Sequence, residues 1–258
     1  MIDSARGLRV LVTAGAAGIG KAFAETFADA GAKVFICDVD KAALDQFRKA
    51  RPEIGSGITD VADARQVDGL FDAALSFLGG LDVLINNAGI AGPTAQVEDI
   101  AIADWERTIA VDLNGMFYCT RKAVPLLKAA GGGSIINLSS VAGRLGFPLR
   151  APYSAAKWAV VGFTKSLAME LGPFNIRVNA IQPGTVEGDR INRVISAKSK
   201  ALGVSFDEFK EQLLSRVSLR RMVSPQDIAN MALFLATDTG HNISGQALSV
   251  CGNVESLV

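Results

Sequence analysis

The chain has 258 residues, 49% of them hydrophobic and 20% charged, enough apolar mass for a sizeable core, so an intrinsically disordered protein is excluded. Lysine plus arginine and aspartate plus glutamate number 26 each. That balance leaves no net field to draw in nucleic acid or an anionic membrane, and neither is expected as a partner.

Strand-like runs dense in β-branched residues at 9–13, 33–38, 81–87, 134–139, 176–182 and 247–250 alternate with helix-length segments at 20–30, 41–50, 64–78, 103–130, 153–171 and 225–237. This order predicts an α/β fold, a doubly wound parallel sheet in a three-layer α/β/α arrangement. No Pro/Gly/Ser-rich linker or block of like charge interrupts it, so one domain over 1–258 is expected. The short apolar run near the N-terminus leads straight into glycines and fits a first strand better than a secretory signal or membrane span, which makes a cytoplasmic location the default. Cys37, Cys119 and Cys251 lie far apart without a Cys-x-x-Cys pair. They read as buried reduced thiols, and no metal site is expected. The single histidine, His241, falls in a polar stretch and reads as an exposed loop residue.

In such sheets ligands bind beyond the carboxyl ends of the strands. The first strand is followed by Thr13-Ala14-Gly15-Ala16-Ala17-Gly18-Ile19-Gly20 and an amphipathic helix. Small residues there let backbone N–H groups approach a pyrophosphate at the positive end of the helix, and Gly15, Gly18, Ile19 and Gly20 are the candidate contacts. An ordinary Gly-rich turn is the bland alternative. Asp38 ends the second strand, where an acidic residue can accept hydrogen bonds from an adenosine ribose and repel a 2′-phosphate. Neither Ala17 nor Val39 provides a cation for that phosphate, which points to NAD rather than NADP.

Pro152 suits the first turn of a helix, which places Tyr153 and Lys157 one turn apart on one face. A free tyrosine titrates near 10, too high for a general base at neutral pH, so its phenolate needs a nearby positive charge. An ammonium about 4 Å away supplies roughly 4 kcal/mol at an effective dielectric near 20.

Tyr153-Ser154-Ala155-Ala156-Lys157 matches a Y-x-x-x-K motif, Ser140 stands thirteen residues before the tyrosine, Asn86-Asn87-Ala88-Gly89 forms an NNAG tetrad, and 179–184 reads NAIQPG. With the glycine segment, these pieces resemble the short-chain dehydrogenase/reductase family over nearly the whole chain. The resemblance implies a Rossmann-like fold and hydride transfer between NAD and a small secondary alcohol or ketone. Tyr153 would be the general acid/base, Ser140 the donor to the substrate oxygen and Lys157 the holder of the nicotinamide ribose. It also implies adenine contact by Asp60 and Val61, a cofactor cleft lined by Asn87, Ala88 and Gly89, and a segment with Pro183, Gly184 and Val186 closing over the nicotinamide. A substrate lid at about 188–224 and a homotetramer built through the long helices follow in the same way.

Five positions depart from the family pattern. Ala14 replaces the first glycine of T-G-x-x-x-G-x-G, Gly188 stands where a threonine is frequent, and Cys251-Gly252-Asn253 replaces Asp-Gly-Gly. The main departure is Asp112 at the fourth catalytic position, usually an asparagine; Asn114, two residues on, points elsewhere on a helix. Asp112 is also the best argument for the rival reading, an NAD-binding sensor or scaffold with weak or lost turnover. Arg144, Arg150, Arg190, Arg193, Arg216, Arg220 and Arg221 could recognise an anionic substrate, or could simply be solvated.

Overall fold

The computed structural model describes residues 5–255 and 257. Seven parallel strands, β1 (Arg9–Thr13), β2 (Lys33–Asp38), β3 (Gly55–Ile58), β4 (Val83–Asn86), β5 (Gly133–Leu138), β6 (Ile176–Pro183) and β7 (Ala247–Val250), form one sheet in the order β3-β2-β1-β4-β5-β6-β7. The order reverses between β1 and β4, which creates the crevice where such sheets take their ligands.

Nine α-helices are described: α1 (Gly18–Asp29), α2 (Lys41–Ala50), α3 (Ala64–Leu78), α4 (Ile102–Ile109), α5 (Gly115–Ala129), α6 (Ala151–Leu171), α7 (Asp189–Leu202), α8 (Phe206–Ser215) and α9 (Pro225–Ala236). Successive strand residues face opposite sides of the sheet. Val10, Val12 and Ile36 therefore pack under α1 and α9 with Phe23, Phe27 and Ile228, whereas Leu11 and Phe35 pack under α3 and α5 with Phe71, Cys119 and Leu127. Both faces of the sheet are covered, which is why the strands read as continuous apolar runs. Among the described residues no helix is long and apolar enough to cross a membrane.

Three elements differ from the sequence expectation. β3, Gly-Ser-Gly-Ile, carries no apolar run because it is an edge strand whose Gly55 lies under the rings of Phe35 and Phe77. The single helix expected over 103–130 is divided by a π-helical segment, Ala110–Asn114, between α4 and α5. The extra residue per turn rotates Asp112 into the interior and leaves Asn114 exposed. α6 begins at Ala151, two residues earlier than expected, with Pro152 in its first turn.

Ala14 has φ 51°, a left-handed conformation natural to glycine. Ala14→Gly should relieve that strain, offset in part by the greater freedom of glycine in the unfolded chain, for a net gain of about 0.5–1 kcal/mol. Thermal denaturation followed by circular dichroism should show Tm higher by about 1–4 °C. A lower Tm would mean that methyl packing outweighs the strain.

Candidate active site

Side chains cap α2, α3 and α9: Asp40 accepts from the Ala43 N–H, Asp63 from Arg65, and Ser224 and Asp227 form a reciprocal capping box. α1 has no such cap, since its N-cap residue is Ala17. Its first-turn N–H groups at Gly18, Ile19 and Gly20 are left for an outside acceptor. A Cβ on Gly20 would overlap the Ala14 carbonyl oxygen, so the helix can lie this close to the loop only with glycine there. Gly15 donates to the Cys37 carbonyl at 2.9 Å, and the loop is tied to β4 by Asn87, whose Nδ2 donates to the carbonyls of Thr13 and Ala14 at 2.9 and 3.0 Å. Sequence reading missed Thr13: its Oγ1 accepts from the N–H groups of Asn87 and Ala88, both at 2.9 Å. A hydroxyl ending a strand of apolar residues was the available signal.

The Asp38 carboxylate closes the same loop, accepting from Ala16 N at 3.1 Å and Asp40 N at 3.1 Å. Asp60, beyond β3, accepts from Ala62 N and Arg107 Nη2, each at 2.9 Å. Val61 is buried against Gly115. Across the crevice, Gly184 donates to the Val250 carbonyl at 3.0 Å, and Val186 pairs with Val223 as an isolated bridge. Gly188 has φ 130°, which a threonine would not adopt, so this departure reflects the backbone that leads into α7.

Tyr153 and Lys157 share one face of α6, with Lys157 Nζ 5.5 Å from the centre of the tyrosine ring. Lys157 is buried and donates to the Leu138 carbonyl at 3.0 Å. Its ammonium lies 3.4 Å from Asp112 Oδ2, without an aligned hydrogen bond, and Asp112 Oδ1 accepts from Ile90 N at 2.7 Å. The departure at residue 112 therefore creates a fully buried ion pair beside the tyrosine. Ser140 caps a short 3-10 turn, its Oγ accepting from Ala142 N at 3.1 Å. Ser139 and Gly143 support the group from behind: Ser139 Oγ donates to the Lys157 carbonyl at 2.7 Å, and a Cβ on Gly143 would overlap that carbonyl.

Cations surround the same tyrosine. The Arg150 guanidinium carbon lies 5.3 Å from the ring centres of both Phe147 and Tyr153, and that of Arg190 lies 5.7 Å from Tyr153. Burial, with Arg190 close by, lowers the Arg150 pKa, opposed by Tyr153 and Asp112. Lys198, over the Phe147 ring, is pushed down to about 7 by burial and by Arg150. Arg144 is turned away, donating to the Val254 carbonyl. The Cys37 thiol is pushed up to about 12 by burial, consistent with an inert core residue, and all three cysteines are buried and free. His241 is exposed, as expected.

A glycine-lined crevice at the switch point of the sheet, facing a Tyr/Lys pair on α6, defines a nicotinamide-dependent oxidoreductase. Residues 14–253 match the family described as enoyl-(acyl carrier protein) reductase. The chain is 39% identical over 254 residues to trans-4-hydroxycyclohexanecarboxylate dehydrogenase of Sinomonas cyclohexanicum, covering 94% of this chain and 90% of that one. Its fold matches NAD+-bound xylitol dehydrogenase with a TM-score of 0.92 at 29% identity, over 96% of this chain and 99% of that chain. It also matches a variant of actinorhodin polyketide ketoreductase with NADPH, with a TM-score of 0.90 at 33% identity, over 98% and 97%. The chain belongs to the short-chain dehydrogenase/reductase family. It is an oxidoreductase that transfers a hydride between a nicotinamide cofactor and an alcohol or ketone, and the sensor or scaffold alternative is not favoured.

Proposed function

We propose that this chain is an NAD-dependent dehydrogenase of small secondary alcohols in which Tyr153 is the general acid/base. The observation that carries this reading is the buried Lys157 ammonium held 5.5 Å from the Tyr153 ring. The uncapped start of α1 and the close approach at Gly20 fit a pyrophosphate, with Gly15, Gly18 and Ile19 completing the cradle. Asp38 would hold the adenosine ribose, and Asp60 and Val61 would border the adenine. Asn87, Ala88, Gly89, Pro183, Gly184 and Val186 would line the remainder of the cleft, with Lys157 on the nicotinamide ribose.

Bound there, NAD supplies the hydride acceptor. Tyr153 takes the hydroxyl proton of the alcohol in oxidation and returns it in reduction. Ser140 keeps its O–H free to donate to the substrate oxygen, because its hydrogen bond to Ala142 uses only a lone pair. The segment 188–224, which contains α7 and α8 packed around Ile195 and Phe209, is the proposed substrate lid. A homotetramer is proposed through the long helices α5 and α6, on which the large apolar side chains of Phe117 and Trp158 are 47% and 51% exposed. A cytoplasmic location is proposed with it, on the strength of the free buried cysteines.

The preference for NAD is supported by Asp38 and by Val39, an exposed apolar side chain where a 2′-phosphate would need a cation. An alcohol panel assayed by NADH absorbance tests both points. Turnover with NAD should exceed that with NADP, and Asp38→Ser combined with Val39→Arg should move the ratio of kcat/KM values toward NADP by at least about tenfold. Equal use of the two cofactors by the unmodified protein would overturn the assignment.

A further inference from the structure

We infer that the substrate carries a carboxylate and that Arg150 and Arg190 form the subsite that binds it. This rests on the reading of Tyr153 as the proton-transfer group and names the substrate class of that site.

Arg150 precedes Tyr153 by three residues and is 2% exposed. Its Nη2 donates to the Ala91 carbonyl, while its Nε is buried without a hydrogen-bond partner. The rings of Phe147 and Tyr153, both 5.3 Å from its guanidinium carbon, hold the plane of the fork. Arg190 reaches over from α7 and donates to the Gly89 carbonyl at 3.1 Å, which places a second guanidinium at the same tyrosine.

Arg150 is desolvated, which is costly unless a charge-complementary partner meets it, whereas Arg190 is exposed. Among the described residues neither Arg150 nor Arg190 has a carboxylate within 4.0 Å. The acid nearest in charge, Asp112, is already held by Ile90 N and Lys157. The two arginines repel each other and among the described residues no carboxylate meets them, and their planar forks match a carboxylate better than a point charge would. Of the other candidate arginines, Arg144 ties down the C-terminal segment, and among the described residues none of Arg193, Arg216, Arg220 and Arg221 lies over the Tyr153 ring.

Both guanidinium carbons lie within 5.7 Å of the centre of the ring that bears the reacting hydroxyl. A substrate with its carboxylate a small ring or short chain from the carbinol carbon is of the size this proximity suits. During oxidation the hydride leaves that carbon for NAD, the hydroxyl proton leaves for Tyr153, and the carboxylate is unchanged.

Isothermal titration of the NAD-loaded protein with cyclohexanecarboxylate and cyclohexanecarboxamide tests the subsite without turnover. The acid should bind at least tenfold more tightly than the amide. Arg150→Met should remove most of that difference, and Arg190→Gln, at an exposed position that does not threaten folding, should reduce it at least threefold. Equal affinity for the two ligands, no binding of either, or a preference untouched by both substitutions would overturn the proposal. NADH formation from 4-hydroxycyclohexanecarboxylate separates the two readings. Turnover with no preference for acid over amide removes the subsite and keeps the dehydrogenase, whereas acid binding without turnover of any alcohol does the reverse.

Discussion

Tyr153→Phe should lower kcat for alcohol oxidation by at least about a hundredfold, the usual loss when a general acid/base is removed. The substitution keeps the ring that packs against Arg150 and Lys157 and deletes only the oxygen proposed to move the proton. Cofactor binding should survive, because the pyrophosphate cradle, Asp38 and Lys157 are untouched. Steady-state NADH absorbance measures the first effect, and fluorescence titration with NAD measures the second. Near-normal kcat would assign the proton to another group, whereas loss of NAD binding would mean that the hydroxyl also holds the cleft in shape.

The second large effect concerns the ion pair between Lys157 and Asp112. At 3.4 Å and an effective dielectric near 20 their attraction is about 5 kcal/mol before desolvation is subtracted. Lys157→Met strands the Asp112 carboxylate, which is 0% exposed, with only the Ile90 N–H for company. Breaking one side of a buried pair costs about 3–5 kcal/mol, and urea denaturation should read that loss. Adding Asp112→Asn should restore most of it, since the amide carries no charge to strand. Asp112→Asn alone acts on chemistry. The carboxylate partly cancels the field of Lys157 at Tyr153, so its removal should strengthen the support for negative charge on the reacting oxygen and raise kcat for alcohol oxidation. Lower turnover at every pH would instead give Asp112 a part in proton movement.

Buried strands made the architecture legible, because runs such as Val10-Leu11-Val12 and Ile135-Ile136 must be apolar on both faces. The relation of Tyr153 to Lys157 was equally readable, since one helix turn fixes it without tertiary detail, whereas Ser140 was picked out by resemblance alone. β3 was not, because an edge strand covered by phenylalanines needs no apolar run of its own. The π segment was hidden for another reason: a one-residue change in helical phase leaves composition and periodicity almost unaltered, yet it decides that Asp112 faces Lys157. The arginines showed the limit of reading charge along a chain. Seven looked alike, and only folding placed Arg150 and Arg190 at the tyrosine.

The pairing of Val186 with Val223 has a wider meaning for how such a protein can change. The chain leaves β6 and returns to almost the same point just beyond it, locked there by the bonds from Glu187 N to the Val223 carbonyl and from Val223 N to the Thr185 carbonyl. Everything between is a closed excursion whose length adds little to the entropy of joining its ends. Selection can thus rewrite this stretch while the strand before it and the helix after it stay anchored. The stretch between Val186 and Val223 and the elements that flank it are, in this sense, separately inheritable parts of one chain.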